Sequence, residues 1–248
     1  MKGVYNHIVK AKKSHKKLLA LLIDPDKTGR DDIKNLQQLL TDSFINYIFV
    51  GGSTVESGKT ERLIVELKKQ TSLPIIIFPG DTSQVTDEAD ALLFLSLISG
   101  RNAEYLIGKQ IRASSMLKDS ALEVIPTGYI LVDGGNVSAV QKVTGTNPIP
   151  SSAVDLITDT AYAGQLLGHQ LIYLEAGSGA KNPVSPKVIK HVSEVLDIPL
   201  IVGGGIKDTQ RIMNAFKEGA DMVVIGTAFE KDPNFLNNLK SKLHENFS

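Results

Sequence analysis

The chain has 248 residues, of which 42% are hydrophobic, and it carries 27 basic and 27 acidic side chains. Without net charge it has no overall field to attract nucleic acid or an anionic membrane, which argues against nucleic acid as a partner. The absence of cysteine excludes disulfides, thiol catalysis and thiolate metal sites. No apolar run is long enough to span a bilayer and no secretory leader is recognisable, so we expect a cytoplasmic protein with at most peripheral membrane contact.

Short apolar runs alternate along the chain with segments of helical periodicity. The runs are continuous, as expected of strands buried on both faces of a parallel sheet. The predicted strands cover residues 18–23, 47–50, 73–78, 91–98, 123–132, 170–174, 198–202 and 222–225. The predicted helices cover residues 31–40, 61–69, 103–116, 153–167, 186–196, 209–218 and 234–244, with a short basic helix within residues 1–17 capping the bottom of the fold. This alternation predicts an α/β fold, a (β/α)8 TIM barrel formed by one domain over residues 1–248.

The connection between the third and fourth strands departs from this pattern. Residues 81–90 are polar and too few to hold a crossover helix with an apolar face. The third helix of the barrel is therefore predicted to be degenerate or replaced by an extended segment, which would leave an opening in the barrel wall.

Two predictions concern the region that follows this connection. The helix over residues 103–116 is expected to place its apolar side chains against the barrel, namely Tyr105, Leu106, Ile107 and Ile111. Residues 137–150 show no periodicity and are predicted to form a loop.

Glycines follow three consecutive strands near the end of the chain. They occur in the segments Gly177-Ser178-Gly179, Gly203-Gly204-Gly205 and Gly226-Thr227. Glycine loops at the carboxyl ends of barrel strands let backbone N–H groups approach phosphate oxygens. The sequence therefore predicts a phosphate site formed by these loops, although glycines that only make tight turns would give the same pattern.

One acidic residue lies at the junction of the sixth strand and its glycine loop. Glu175 stands where catalytic groups of a parallel barrel are usually found, and it could reach a hydroxyl of a bound phosphate compound as a general base. A structural acid that pairs with a lysine or arginine is the alternative. Tyr173, two residues earlier, points the same way along the strand, either as a substrate-binding group or as a core aromatic.

Carboxylates also follow the first strand, in the segment Asp24-Pro25-Asp26-Lys27. Mg²⁺ binds through one or two carboxylates together with substrate phosphates, so we expect Asp24, directly at the strand end, to hold the metal. Asp26 is interpreted as a turn or helix-capping residue instead. Ser53, at the end of the second strand, offers a hydroxyl toward the same place or serves as a turn residue.

Several motifs together resemble the geranylgeranylglyceryl phosphate synthase family and its bacterial heptaprenylglyceryl phosphate relatives. The motifs are Leu22-Ile23-Asp24-Pro25-Asp26-Lys27, Gly51-Gly52-Ser53, Tyr173-Leu174-Glu175-Ala176-Gly177-Ser178-Gly179, Gly203-Gly204-Gly205-Ile206 and Gly226-Thr227. The first and third are specific, whereas the last two are common to many phosphate-binding barrels. The resemblance covers essentially the whole chain, whose length is more similar to the larger members.

The resemblance implies a Mg²⁺-dependent prenyltransferase that joins sn-glycerol 1-phosphate to geranylgeranyl diphosphate, or a related polyprenyl diphosphate, through an ether bond. It implies that Asp24 and Ser53 hold Mg²⁺ and that Glu175 is the base. It also implies a barrel whose third helix is replaced by an extended segment and which assembles into a dimer or hexamer. The residues implied to bind glycerol phosphate are Tyr173, Leu174, Glu175, Ala176, Gly177, Ser178, Gly179, Gly203, Gly204, Gly226 and Thr227.

Two other functions stay open at this point. A phosphate-sugar isomerase or synthase without metal would need a second acid or base across the barrel, and Asp133 is the best candidate. The second alternative is a barrel that has lost catalysis and only binds a phosphate ligand. The presence of both acids and of the glycine loops argues against such a loss.

Overall fold

The structure, a computed structural model, describes residues 3–29, 32–33 and 44–226. Thr227, the helix predicted over residues 234–244 and all but two residues of the helix predicted over 31–40 lie outside the described residues. One domain over residues 1–248 therefore stays a prediction.

Eight parallel strands form a closed barrel in the order in which they occur along the chain, and β8 pairs with β1. The strands are β1 Leu18–Ile23, β2 Ile45–Val50, β3 Ile75–Ile77, β4 Ala91–Leu97, β5 Glu123–Leu131, β6 Leu171–Glu175, β7 Leu200–Gly203 and β8 Met222–Ile225. The predicted (β/α)8 barrel is confirmed, and all strands end at the same mouth.

Seven α-helices are described, and those after the strands form the outer layer. They are α1 Val4–Lys13, α2 Lys59–Lys68, α3 Lys109–Leu117, α4 Ala139–Thr144, α5 Val154–Leu166, α6 Pro186–Val195 and α7 Thr209–Lys217. Side chains before α6 and α7 accept hydrogen bonds from the first turn, with Ser185 bound to Val188 N–H and Asp208 bound to Arg211 N–H. Within the described part of the chain, no helix is both long and apolar enough to cross a membrane.

The degenerate third helix is confirmed. Between β3 and β4 the chain forms only a short 3₁₀ turn, Thr82–Gln84, where a barrel ordinarily has a full helix. Asp81 accepts a hydrogen bond from Ser83 N–H at 3.3 Å and so caps this turn.

Two local predictions were wrong. Residues 137–150 are not only a loop, because the six-residue helix α4 lies within them and Ser138 caps it. A helix this short shows too little periodicity to be recognised from sequence. Ile107 and Ile111 are 55% and 63% exposed rather than buried. A π-helical turn, Glu104–Gly108, precedes α3, and its wider turn rotates the following side chains away from the face that a regular helix would bury.

The amino ends of the strands are covered by α1, as predicted. Its side chains Val4 and Ile8 pack into the interior of the barrel. Glu123, the first residue of β5, accepts hydrogen bonds from the backbone N–H groups of Gly3, Val4 and Tyr5 at 3.0, 2.7 and 2.9 Å. One carboxylate thus satisfies three otherwise unpaired N–H groups at the positive end of the helix.

We expect Glu123→Ala to lower the free energy of unfolding by roughly 1.5–3 kcal/mol, the range for hydrogen bonds to a charged group. Urea unfolding measures the change. The matched control is Glu194→Ala, because Glu194 is exposed on α6. An equal loss in both variants would contradict this role of Glu123.

Candidate active site

A cavity of about 760 Å³ opens at the carboxyl ends of the strands. At one side it is lined by Asp24, Ser53, Glu175, Ser178 and Gly204, and elsewhere mainly by apolar side chains. The cavity therefore has a polar end, where charged groups and glycine backbone meet, and a long apolar part.

Glu175 is the last residue of β6, and its side chain lines this cavity. The residue is 6% exposed, and its Oε1 accepts a hydrogen bond from Gly177 N–H at 2.7 Å. Burial raises the pKa of Glu175 to about 7, although the Gly177 N–H and the nearby Tyr173 hydroxyl act in the opposite direction. A carboxyl with this pKa is suited to accept a proton near neutral pH.

The carboxylate of Glu175 lies directly against the glycine loop that follows β7. Gly203 pairs with Glu175 across the sheet, and a Cβ on Gly203 would lie 2.4 Å from the Tyr173 hydroxyl oxygen. A Cβ on Gly204, whose φ is +79°, would lie 2.3 Å from Glu175 Oε1. Only glycine allows the acid and the loop backbone to approach each other this closely.

The loops after β6 and β7 have the backbone shape of an anion cradle. Positive φ angles of 99°, 72°, 79° and 68° occur at Gly177, Gly179, Gly204 and Gly205. The backbone N–H groups of residues 178–179 and 204–206 donate no hydrogen bond to any residue that the structure describes. Arg211 Nη1 donates to the Gly205 carbonyl at 2.6 Å, which fixes this loop from the side of α7. Unpaired N–H groups of this kind bind phosphate.

Three aromatic rings form the floor beneath Glu175. The ring centroids of Phe78 and Tyr173 are 5.1 Å apart, and those of Tyr129 and Tyr173 are 5.4 Å apart. Burial, assisted by the charge of Glu175, raises the pKa of both tyrosines well above their usual range, so both hydroxyls stay protonated. The Tyr173 hydroxyl is buried close to the Glu175 carboxylate and makes no hydrogen bond of regular geometry to a described residue.

Asp24 and Ser53 face the polar end of the cavity from β1 and β2. Asp24 Oδ1 accepts a hydrogen bond from Asp26 N–H at 3.1 Å, and Asp24 Oδ2 pairs with Lys27 Nζ at 2.5 Å. Asp26 instead pairs with Lys59 at 3.0 Å, which ties the loop after β1 to the start of α2. Asp24, Asp26 and Lys27 all line the cavity, but Asp26 is paired outward with Lys59, whereas Asp24 pairs with Lys27 at the cavity itself.

This donor set fits Mg²⁺ in one specific manner. No group of three or more acidic or histidine side chains that could enclose a metal occurs within residues 3–29, 32–33 and 44–226. Mg²⁺ keeps several waters and binds through one or two carboxylates together with substrate phosphates. Asp24 and the Ser53 hydroxyl match that mode, in which the substrate completes the site.

The apolar part of the cavity extends over β4, beside the missing third helix. Leu93 belongs to the interior cluster of the barrel, whereas Leu92 packs with the outer layer, yet both line the cavity. Phe94 and Tyr105 also line it and are only partly buried. Where a regular barrel would place a helix against β4, this chain leaves an apolar groove.

The structure brings most of the predicted site residues to one cavity. The cavity is lined by Asp24, Ser53, Tyr173, Glu175, Ser178, Gly179, Gly204 and Gly226. Gly177 and Gly203 shape the backbone beside Glu175, and Ala176 N–H donates to the Gly203 carbonyl at 3.1 Å. The Leu174 side chain packs between the strands and the outer helices and does not line the cavity.

Sequence reasoning missed three polar residues near the site. Gln84 and Lys109 hold the segment that replaces the third helix, and Arg211 holds the glycine loop after β7. Lys109 and Arg211 lie on helix surfaces, and Gln84 lies in a polar stretch without periodicity, so no local pattern distinguishes them from solvated side chains.

Comparison with known proteins identifies the family to which this chain belongs. The model of the PcrB family matches residues 9–243. A protein of Flavobacterium johnsoniae named geranylgeranylglyceryl phosphate synthase is 52% identical over 94% of this chain and 96% of its own length. A protein of Pyrococcus abyssi with the same name is 40% identical over 94% of this chain and 91% of its own length.

Solved structures agree with these relatives. The crystal structure of (S)-3-O-geranylgeranylglyceryl phosphate synthase from Thermoplasma acidophilum, in complex with its substrate sn-glycerol-1-phosphate, has a TM-score of 0.89 to this structure. The two chains are 33% identical, and the alignment covers 96% of each. Since the family model and these relatives span nearly the whole sequence, the chain belongs to the PcrB family.

Proposed function

We propose that this chain is a prenyltransferase that joins sn-glycerol 1-phosphate to geranylgeranyl diphosphate, or a related polyprenyl diphosphate, to form an ether and pyrophosphate. The observation that carries this proposal is the buried Glu175, which lies between a glycine cradle for phosphate and an apolar groove. The names of the relatives and the glycerol phosphate bound in the Thermoplasma acidophilum structure support it.

Glycerol phosphate is proposed to bind with its phosphate on the loops after β6, β7 and β8. The unpaired N–H groups of residues 178–179 and 204–206 supply the donors, and Gly226 leaves space beside them. The glycerol hydroxyls then lie toward Glu175 and the Tyr173 hydroxyl. Thr227, which follows Gly226 in the sequence, is proposed to contribute to the same phosphate site.

The chemistry requires one proton transfer and one displacement. Glu175 takes the proton from the 3-hydroxyl of glycerol phosphate, and the oxygen attacks C1 of the prenyl diphosphate. The bond between C1 and the diphosphate oxygen breaks, and pyrophosphate leaves with the bonding electrons. Mg²⁺, when bound, would neutralise charge on the leaving group. Asp24 and Ser53 are the proposed protein ligands, and Lys27 adds a positive charge beside them.

The prenyl chain is proposed to lie in the groove over β4. Its walls include Phe94 and Tyr105, and Lys109 lies at its edge with Nζ 4.7 Å from the centre of the Tyr105 ring. Burying each CH₂ of the chain contributes about 0.8 kcal/mol, so a long prenyl tail supplies much of the binding free energy.

The structure favours this function over an isomerase. An isomerase would need a second acid or base opposite Glu175, and the candidate was Asp133. Asp133 is exposed, its Oδ1 accepts a hydrogen bond from Gly135 N–H at 2.8 Å, and it does not line the cavity.

A cytoplasmic location and assembly into a dimer or hexamer stay predictions. They rest on composition and on the family resemblance, and size-exclusion chromatography with light scattering would determine the oligomeric state.

The decisive experiment measures product formation from labelled sn-glycerol 1-phosphate and a series of prenyl diphosphates, with and without Mg²⁺. We expect an ether-linked product that requires the metal and that disappears on addition of EDTA. Absence of product with every member of the series, despite binding of glycerol phosphate, would contradict the proposed function and favour a barrel that only binds phosphate ligands.

We expect Glu175→Gln to lower kcat by about 10²-fold or more while the protein stays folded, because a general base contributes on this order. The matched control is Glu123→Gln, the same change at the opposite end of the barrel, which should keep kcat near the wild-type value. Near-normal turnover of Glu175→Gln would remove this residue from the mechanism.

The pH dependence of kcat provides a second test of Glu175. Its pKa of about 7 means that the base form is present above this pH and is lost below it. At saturating glycerol phosphate, we expect the wild-type kcat to fall about tenfold per pH unit below pH 7 and to level off above it. The residual kcat of Glu175→Gln should not show this fall below pH 7. A wild-type kcat that is constant from pH 5 to 8 would argue against Glu175 as the base.

Asp24→Asn tests the proposed metal ligand. Loss of the carboxylate charge should raise the Mg²⁺ concentration that gives half-maximal activity by about tenfold or more, since Mg²⁺ depends on carboxylate ligands. Titration of activity with MgCl₂ measures this shift, with Asp26→Asn as the neighbouring control. An unchanged metal requirement in Asp24→Asn would exclude Asp24 as a ligand.

A further inference from the structure

The turn after β2, Gly51-Gly52-Ser53, packs closely against the Phe78 backbone and the Asp24 side chain. A Cβ on Gly51 would lie 1.9 Å from the Phe78 carbonyl oxygen, and a Cβ on Gly52 would lie 3.1 Å from Asp24 Oδ1. Two consecutive glycines lose much conformational entropy on ordering, so contacts from outside must hold such a turn in one shape. This turn carries Ser53 into the polar end of the cavity.

Gln84 supplies those contacts. It is the last residue of the 3₁₀ turn between β3 and β4, and it is 1% exposed. Its Nε2 donates to the Gly52 carbonyl at 2.9 Å, and its Oε1 accepts from Gly52 N–H at 3.4 Å. Both polar ends of one buried side chain thus bind the backbone of a single glycine.

The segment that carries Gln84 is itself anchored from the other side. Lys109 on α3 pairs with Asp81 at 2.6 Å and donates to the Gly80 carbonyl at 2.8 Å. Asp81 in turn caps the 3₁₀ turn through Ser83 N–H. A continuous set of contacts therefore runs from α3 through the short segment to Gly52.

We propose that Gln84 is a positioning residue for the diphosphate end of the cavity. By fixing the Gly52 peptide, it holds the Ser53 hydroxyl and keeps the turn against the Asp24 carboxylate. This role rests on the proposed function, in which these two groups face Mg²⁺ and the prenyl diphosphate. The proposed glycerol phosphate cradle lies on the loops after β6, β7 and β8 and does not depend on Gln84.

Gln84→Met tests this role, because methionine keeps the length of the side chain and loses both hydrogen bonds. We expect binding of geranylgeranyl diphosphate in MgCl₂, measured by equilibrium dialysis, to weaken about tenfold, the effect of losing a net hydrogen bond or two. Binding of sn-glycerol 1-phosphate, measured by calorimetry without metal, should stay within about twofold of the wild type. Hydrogen exchange of the peptide spanning residues 51–58 should become faster.

The matched control is Gln165→Met. Gln165 also holds backbone with its amide, since its Oε1 accepts from Asp197 N–H at 2.8 Å and Ile198 N–H at 3.3 Å, but it lies on α5 near the amino ends of the strands. This variant should lose stability without a change in either binding constant. Gln84→Glu, which places a carboxylate oxygen against the Gly52 carbonyl, should repeat the selective loss if Gln84→Met does not fold.

The outcomes separate the two proposals. Suppose the wild type turns over, so that the proposed function holds. Equal weakening of the binding of both ligands in the Gln84 variants, or unchanged binding of geranylgeranyl diphosphate, would then overturn the role of Gln84. If the wild type binds no geranylgeranyl diphosphate, the proposed function fails. Hydrogen exchange at residues 51–58 in Gln84→Met that is as slow as in the wild type would overturn the structural part of this inference, namely that Gln84 holds the turn after β2.

Discussion

Closure of the sheet between β8 and β1 is the constraint on which the rest of this molecule depends. Since all eight strands are parallel, closure brings their carboxyl ends to one mouth, so that segments far apart in the chain become neighbours. Asp24 and Glu175 reach the same cavity in this way although about 150 residues separate them. The opposite end of the barrel has no such role and is covered by α1, whose first turn is held by Glu123.

The acid of the proposed reaction is buried against peptide backbone. Gly203 and Gly204 leave space that any side chain would fill, and this space lets Glu175 lie beside the loop that is shaped for phosphate. Burial of the carboxylate disfavours its charged form and so moves its pKa toward neutrality. The same packing that makes the acid a competent base thus places it next to the substrate that it would deprotonate.

The absent third helix has two consequences that must be considered together. It opens the wall beside β4 and creates room for an apolar chain, as the lining by Leu92 and Phe94 shows. It also places a short polar segment beside the turn after β2. Gln84 of this segment is directed inward to Gly52, and Lys109 holds the segment from α3. The same segment of the barrel wall therefore leaves the groove over β4 open and holds the polar end of the cavity in place.

The sequence by itself determined the barrel, its irregular third connection and the acid with its glycine loops, because these features are local. Apolar runs, glycines after strand ends and a missing amphipathic segment are all visible within a few residues. Only the tertiary structure decided which face of α3 is buried, since the π turn before it rotates the register. It also decided that Asp133 lies outside the cavity and that Gln84 lies inside the wall. A polar side chain looks the same in sequence whether it faces water or a backbone carbonyl, and only the packing of distant segments distinguishes the two.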